Sequence, residues 1–170
     1  MRRQAPQSTS LALVLLALAW CTPSASAQQE QDAATIATFI ARQAHRERGE
    51  EYRDARKAVA GDLTRDGVPE TVVLYTIESQ GGTNNYVQYL AVFARGDGRL
   101  LPLTYTEVGG KSTRSVELTS VDGNTIRLET LGYGPKDASC CPSVKGTTGY
   151  ILIGRVLREQ KRRATQRQHH

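Results

Sequence analysis

The sequence predicts an α+β domain, a mostly antiparallel β meander forming a curved sheet or sandwich with one N-terminal helix. Two observations carry this. Between Asp32 and Arg48 the apolar residues recur at intervals of three and four, whereas from Ala58 short β-branched and aromatic runs alternate with Gly, Asp and Asn. A third observation gives the connectivity. Gly96-Asp97-Gly98 and Asp122-Gly123 join successive runs, and such pairs adopt positive φ at little cost, which closes hairpins between antiparallel strands.

The chain opens with Arg2 and Arg3, an apolar run from Leu11 to Trp20, and small residues ending Ala25-Ser26-Ala27. That order predicts a cleavable secretory signal peptide over residues 1–27 and a periplasmic or secreted protein. The run is far shorter than the roughly 20 residues a helix needs to cross a bilayer, so the chain is expected not to span a membrane. Trp20 just before Cys21 argues against lipid attachment, which favours a small residue there.

Residues 28–157 then form a single domain. In its helix, about 32–48, Ala33, Ile36, Ala37, Ile40 and Ala44 make a stripe, with Asp32 as N-cap and Gly49 just past the end. The stripe is mostly alanine, so the helix is expected at the periphery. Six or seven strands fill about 57–157, the clearest runs being Thr71–Glu78, Tyr86–Arg95, Leu100–Thr106, Ser112–Thr119, Thr125–Gly132 and Gly149–Leu157. The near-continuous apolar run Val72–Ile77 predicts a central strand covered on both faces, the helix covering one. Val116 and Leu118, then Ile126 and Leu128, alternate with polar residues and predict a hairpin with one wet face.

Residues 158–170 hold Arg158, Lys161, Arg162, Arg163 and Arg167 without apolar periodicity, which predicts a basic disordered tail. Such a tail can touch anionic surfaces of the cell envelope. The formal charge of +5 falls to +3 once Arg2 and Arg3 leave with the leader. Most of that excess lies in the tail, so the body has no basic face and nucleic acid is not an expected partner.

Two segments have residues that could carry chemistry. Gly61-Asp62-Leu63-Thr64-Arg65-Asp66-Gly67-Val68-Pro69-Glu70 opens directly into the apolar strand. It resembles the calcium loop of FG-GAP (VCBS-type) repeats, in which oxygens at alternate positions converge on one cation. The resemblance implies side-chain oxygens from Asp62, Thr64 and Asp66, the carbonyl of Val68, the carboxylate of Glu70, and weak Ca²⁺ binding. Val73 occupies position 12, where an EF-hand has its bidentate Glu, so an EF-hand is excluded. The loop occurs once, so no propeller is built from it. The competing reading is a plain turn at Asp66-Gly67, with Asp62 and Glu70 solvated or bonded to loop amides.

The second segment is Gly134–Ser143, with Cys140 and Cys141 adjacent. Once Cys21 is removed these are the mature chain's cysteines, and in an oxidising compartment they are expected to pair. Adjacent Cα atoms are about 3.8 Å apart, below the usual disulfide span of about 4.4 to 6.8 Å, which makes the ring easier to reduce. The pair is expected to be structural, giving the loop its local shape; free or intermolecular thiols, or a thiolate metal site completed by His45, His169 or His170, are the other readings. The stretch from Asp62 through Cys140-Cys141-Pro142-Ser143 is similar to a group of uncharacterised secreted or periplasmic bacterial proteins with a Cys-Cys-Pro-Ser segment. That resemblance implies export and fold class and supplies no activity.

Hydrolytic chemistry is not written in the sequence. Ser139 and Ser143 have no nucleophile-elbow context, and His45 follows the helix stripe among Arg46, Glu47 and Arg48, as a surface histidine does. Gly81-Gly82-Thr83-Asn84-Asn85 lies between strands, so it reads as a hairpin loop that could present Asn side chains, with Tyr86 and Tyr89, to a partner or glycan. The expectation is a non-enzymatic binding or structural module with no catalytic residues, for an unknown protein or cell-envelope ligand. The alternative is a thiol-dependent redox or metal-handling protein.

Overall fold

The computed structural model describes residues 25–79 and 85–160. Helix α1 (Ala25–Arg46) precedes β1 (Gly49–Glu51), β2 (Lys57–Gly61), β3 (Glu70–Ser79), β4 (Tyr86–Gly96) and β5 (Arg99–Gly110). After these come β6 (Arg114–Asp122), β7 (Thr125–Gly132), β8 (Val144–Ile153) and β9 (Val156–Gln160). All pairings are antiparallel, and β3 to β9 follow one another as a meander. β1 and β2 share the remaining edge of β3, separated by a single 3-10 turn at Arg53–Ala55. The predicted α+β class, meander and N-terminal helix are all present.

β3 shows why its apolar run is continuous. Val73, Tyr75 and Ile77 face α1, where they pack with Ile36, Ile40 and Ala44, while Val72 and Leu74 face a second core. The alanine-rich stripe lets α1 lie close. Buried Gln43 accepts a hydrogen bond from the Tyr75 hydroxyl and donates to Glu47 Oε1 at 2.9 Å, and Glu47 Oε2 accepts the Tyr89 hydroxyl at 2.7 Å. Burial raises the pKa of both tyrosines.

α1 begins at Ala25, so Asp32 lies inside the helix rather than capping it. The preceding Ala, Gln and Glu residues are adequate helix formers, and Asp32 is occupied by an ion pair with Arg95 of β4. Residues 1–24, most of the expected leader, lie outside the described residues. No helix among the described residues is long and apolar enough to cross a membrane.

The second core arises because the sheet curls. β5 and β6 pair only at Gly110↔Arg114, and beyond that corner they diverge. A Cβ on Gly109 would fall 2.6 Å from the Arg114 carbonyl oxygen, so the corner requires glycine there. The strands β6 to β9 then close over β2 to β5, burying Val72, Leu74, Leu90, Val92, Leu118, Ile126, Leu128 and Tyr150 between them. β2 comes so near β6 that a Cβ on Gly61 would lie 2.3 Å from Val121 Cγ1. Along the unpaired part of β6, side chains replace a strand partner. Gln88 Oε1 accepts the Val116 N–H at 2.8 Å while its Nε2 donates to the Val116 carbonyl at 3.1 Å, and Arg114 Nε donates to the Val108 carbonyl at 2.8 Å.

The wet-faced hairpin is as expected, with Val116, Leu118, Ile126 and Leu128 buried and Glu117, Thr119, Arg127 and Glu129 exposed. Nine strands form among the described residues where six or seven are expected, and several boundaries differ. Ser112 belongs to the β5–β6 turn, at φ 66°, and β6 starts at Arg114. The run Gly149–Leu157 is a hairpin rather than one strand, turning at Gly154 with φ 60°. Arg158, Glu159 and Gln160 belong to β9 rather than to a disordered tail, and Glu159 pairs with Arg114 at 2.7 Å. Gly81–Asn84 and residues 161–170 lie outside the described residues.

Candidate functional site

The interior between the two halves of the sheet is not filled along its whole length. On β7 the inward column reads Ile126, Leu128, Thr130, and their β8 partners are Tyr150, Thr148 and Gly146. The pairs thus shrink from Ile126–Tyr150 through Leu128–Thr148 to a hydroxyl opposite a glycine, and the interior opens as a cleft of about 970 Å³. Ligand pockets span roughly 300–1,000 Å³, so this one is at the large end.

Buried Leu74, Gln88 and Val116 form the base of the cleft, and Thr130 and Gly146 line it where the column thins. Arg56 and Lys57 come from one half, and Glu117, Glu129 and Lys145 from the other. Arg56 is held by both oxygens of Glu51. Lys57 reaches across to Glu117 at 3.3 Å, an exposed pair that joins the halves at the rim and adds little stability. An apolar base with carbonyl, amide and hydroxyl groups and both signs of charge at the rim suits a polar ligand or a peptide segment. No His or Cys is among the described residues that line it.

The loop with the cysteines rises from the same end. Gly132↔Val144 is the last rung joining β7 to β8, one position beyond the lining residues Leu131 and Lys145. Asp137 organises the loop. Its carboxylate accepts the Gly134 N–H at 2.7 Å, the Ser143 N–H at 2.8 Å and the Ser143 hydroxyl at 2.8 Å, tying the two feet together. The Gly134 amide and the Ser143 hydroxyl hold its pKa below the ordinary 3.8. The Tyr133 hydroxyl donates to the Ser139 carbonyl at 2.9 Å, and the Cys141 N–H to the Ala138 carbonyl at 2.9 Å. Cys140 and Cys141 are exposed and form a close vicinal pair joined through sulfur, with Cα atoms 3.8 Å apart.

The Asp62–Glu70 segment supports itself. Buried Glu70 accepts the Leu63 N–H at 2.8 Å, the Thr64 N–H at 3.3 Å and the Thr64 hydroxyl at 3.2 Å. Asp62 accepts the Asp66 and Gly67 amides at 3.2 and 3.0 Å, and Asp66 accepts the Val68 amide at 2.8 Å. Glu70 and Asp62 therefore serve different amides. Among the described residues no three of His, Cys, Asp and Glu stand together as a ligand group for a metal ion. Val68 is exposed, and the loop lies at the β2–β3 connection rather than in the cleft.

Comparisons with protein-family models, curated proteins and solved structures return no match for this chain. The residues that shape the cleft, above all Gln88, Thr130 and Gly146, carry no local motif. The one available signal was the loss of large apolar residues toward one end of β7 and β8. Asp137 was more accessible, because Gly-Pro-Lys-Asp is a turn sequence and a turn aspartate commonly accepts nearby amides.

Proposed function

We propose that the protein is an exported, non-catalytic binding module whose ligand seat is the open end of the curled sheet. The observation that carries this is the cleft of about 970 Å³, which has a buried base, polar walls and charge of both signs at its rim. Its ligand is a protein segment or polar component of the cell envelope. Both cations contributed by the first half of the sheet are paired, Arg56 with Glu51 and Lys57 with Glu117, which fits recognition better than proton transfer. The Asp62–Glu70 loop acts as a self-capped turn at the β2–β3 connection, and Ca²⁺ is an accessory to it at most.

Gly146→Leu would intrude on the cleft beside Thr130, because even a Cβ there comes 2.8 Å from Thr130 Oγ1. In pull-downs from an envelope extract, the wild-type chain is expected to retain a partner that Gly146→Leu loses while its circular-dichroism spectrum stays that of the folded chain, with a lowered thermal midpoint as Thr130 shifts. Cys140→Ala with Cys141→Ala should keep that partner. Equal retention by Gly146→Leu would move the ligand seat elsewhere, and loss through the double cysteine variant alone would favour a thiol-dependent redox or metal-handling role.

A further inference from the structure

We infer that Cys140 and Cys141 form a reversible thiol–disulfide exchange site for external low-molecular-weight thiols. Three observations meet at this loop. Both residues are exposed, so a thiolate has access to either sulfur. Their Cα atoms are 3.8 Å apart because they are neighbours in sequence, and a pair held short of the usual span of about 4.4 to 6.8 Å is more easily reduced. The loop also keeps its shape by other means, since Asp137 clamps Gly134 to Ser143 and Tyr133 holds the Ser139 carbonyl. A bond between neighbours closes no long loop, so its chain-entropy contribution to folding is negligible. The bond can therefore open while the fold stays closed, which sets it apart from a disulfide linking distant strands.

The chemistry balances with the thiol as the reductant. A thiolate RS⁻ attacks one sulfur, the S–S bond breaks, and the second cysteine leaves as a thiolate that takes up a proton. A second RS⁻ attacks the mixed disulfide, which releases RSSR and the first cysteine, also protonated. Two thiols are oxidised and one protein disulfide is reduced. The inference does not depend on the cleft being a ligand seat.

The test uses the exported protein in a Cys21→Ala background, so that only the pair can be labelled. The native protein is equilibrated with reduced glutathione, quenched, alkylated and weighed. The expected result is a gain of two alkyl groups per chain, reversed by glutathione disulfide, with circular dichroism and thermal midpoint retained. Treated instead with glutathione disulfide, a Cys140→Ser variant should accumulate one glutathione adduct at Cys141 and release one reduced glutathione. Alkyl uptake only after urea unfolding, or a reduction that melts the fold, would overturn the inference, since either makes the bond structural.

Discussion

Three carboxylates hold backbone or distant strands in place, each by a different partner. Asp32 is held below the ordinary 3.8 chiefly by Arg95, Glu159 below the ordinary 4.5 chiefly by Arg114, and Asp137 below 3.8 by Gly134 and Ser143. A carboxylate with a depressed folded pKa contributes stability that is complete above its unfolded value and is lost as pH falls through the folded one. Urea midpoints should accordingly stay level from neutral pH to about pH 5 and then decline below about pH 4. Asp137→Asn should flatten part of that decline. Glu70 is different, because it is buried and its oxygens serve Leu63 and Thr64. Glu70→Ala should lower the unfolding free energy by about 1–3 kcal/mol, as buried amides lose their acceptor. Equal urea curves for the wild type and Glu70→Ala would contradict that account of the loop. Gln88 was not legible as a structural residue in the sequence, because it meets its partner Val116 28 positions away. Glu70 was legible in part, since bonding to loop amides was one of the readings open for it beside solvated acid and cation ligand.

The strands were legible wherever alternation or a glycine-containing pair marked them. Asp97 and Gly98 turn at φ 50° and 73°, and Gly123 at 55°, as the hairpin signals require. The β8–β9 turn escaped because Gly154-Arg155 lies between Ile153 and Val156, so the apolar run looks unbroken. β1 and β2 are short, and β1 is mostly charged, so neither shows a period. The most specific prediction for an element concerns the seam along β6. Gln88→Leu removes both the donor and the acceptor that Val116 uses, leaving two backbone groups unpaired in a buried setting. It should cost about 2–4 kcal/mol by chemical denaturation and speed amide exchange at Val116 selectively. Unchanged protection of Val116 would mean that the seam is closed by something other than Gln88.

Over the whole molecule, one sheet acts as both layers. Its first half carries α1 on the outside, and its second half returns over the inside, so two cores share β3 and β4. The sequence showed the two-faced character of β3, but it could not show that the meander turns a corner at Gly109 and Gly110. It is this corner that leaves a cleft at the end bearing the Cys140–Cys141 loop. The cleft is a product of tertiary closure, which is why no spacing of residues announced it.

The central claim is that this open end is the ligand seat, and chemical-shift mapping tests it directly. Amide shifts of the isotopically labelled mature protein would be followed while fractions of the envelope extract are added. Perturbations confined to Ser115–Glu117, Thr130–Leu131 and Lys145–Thr147 are the predicted result. Perturbations confined to the α1 face, the Asp62–Glu70 loop or the residues after Gln160, with those three segments unchanged, would contradict it.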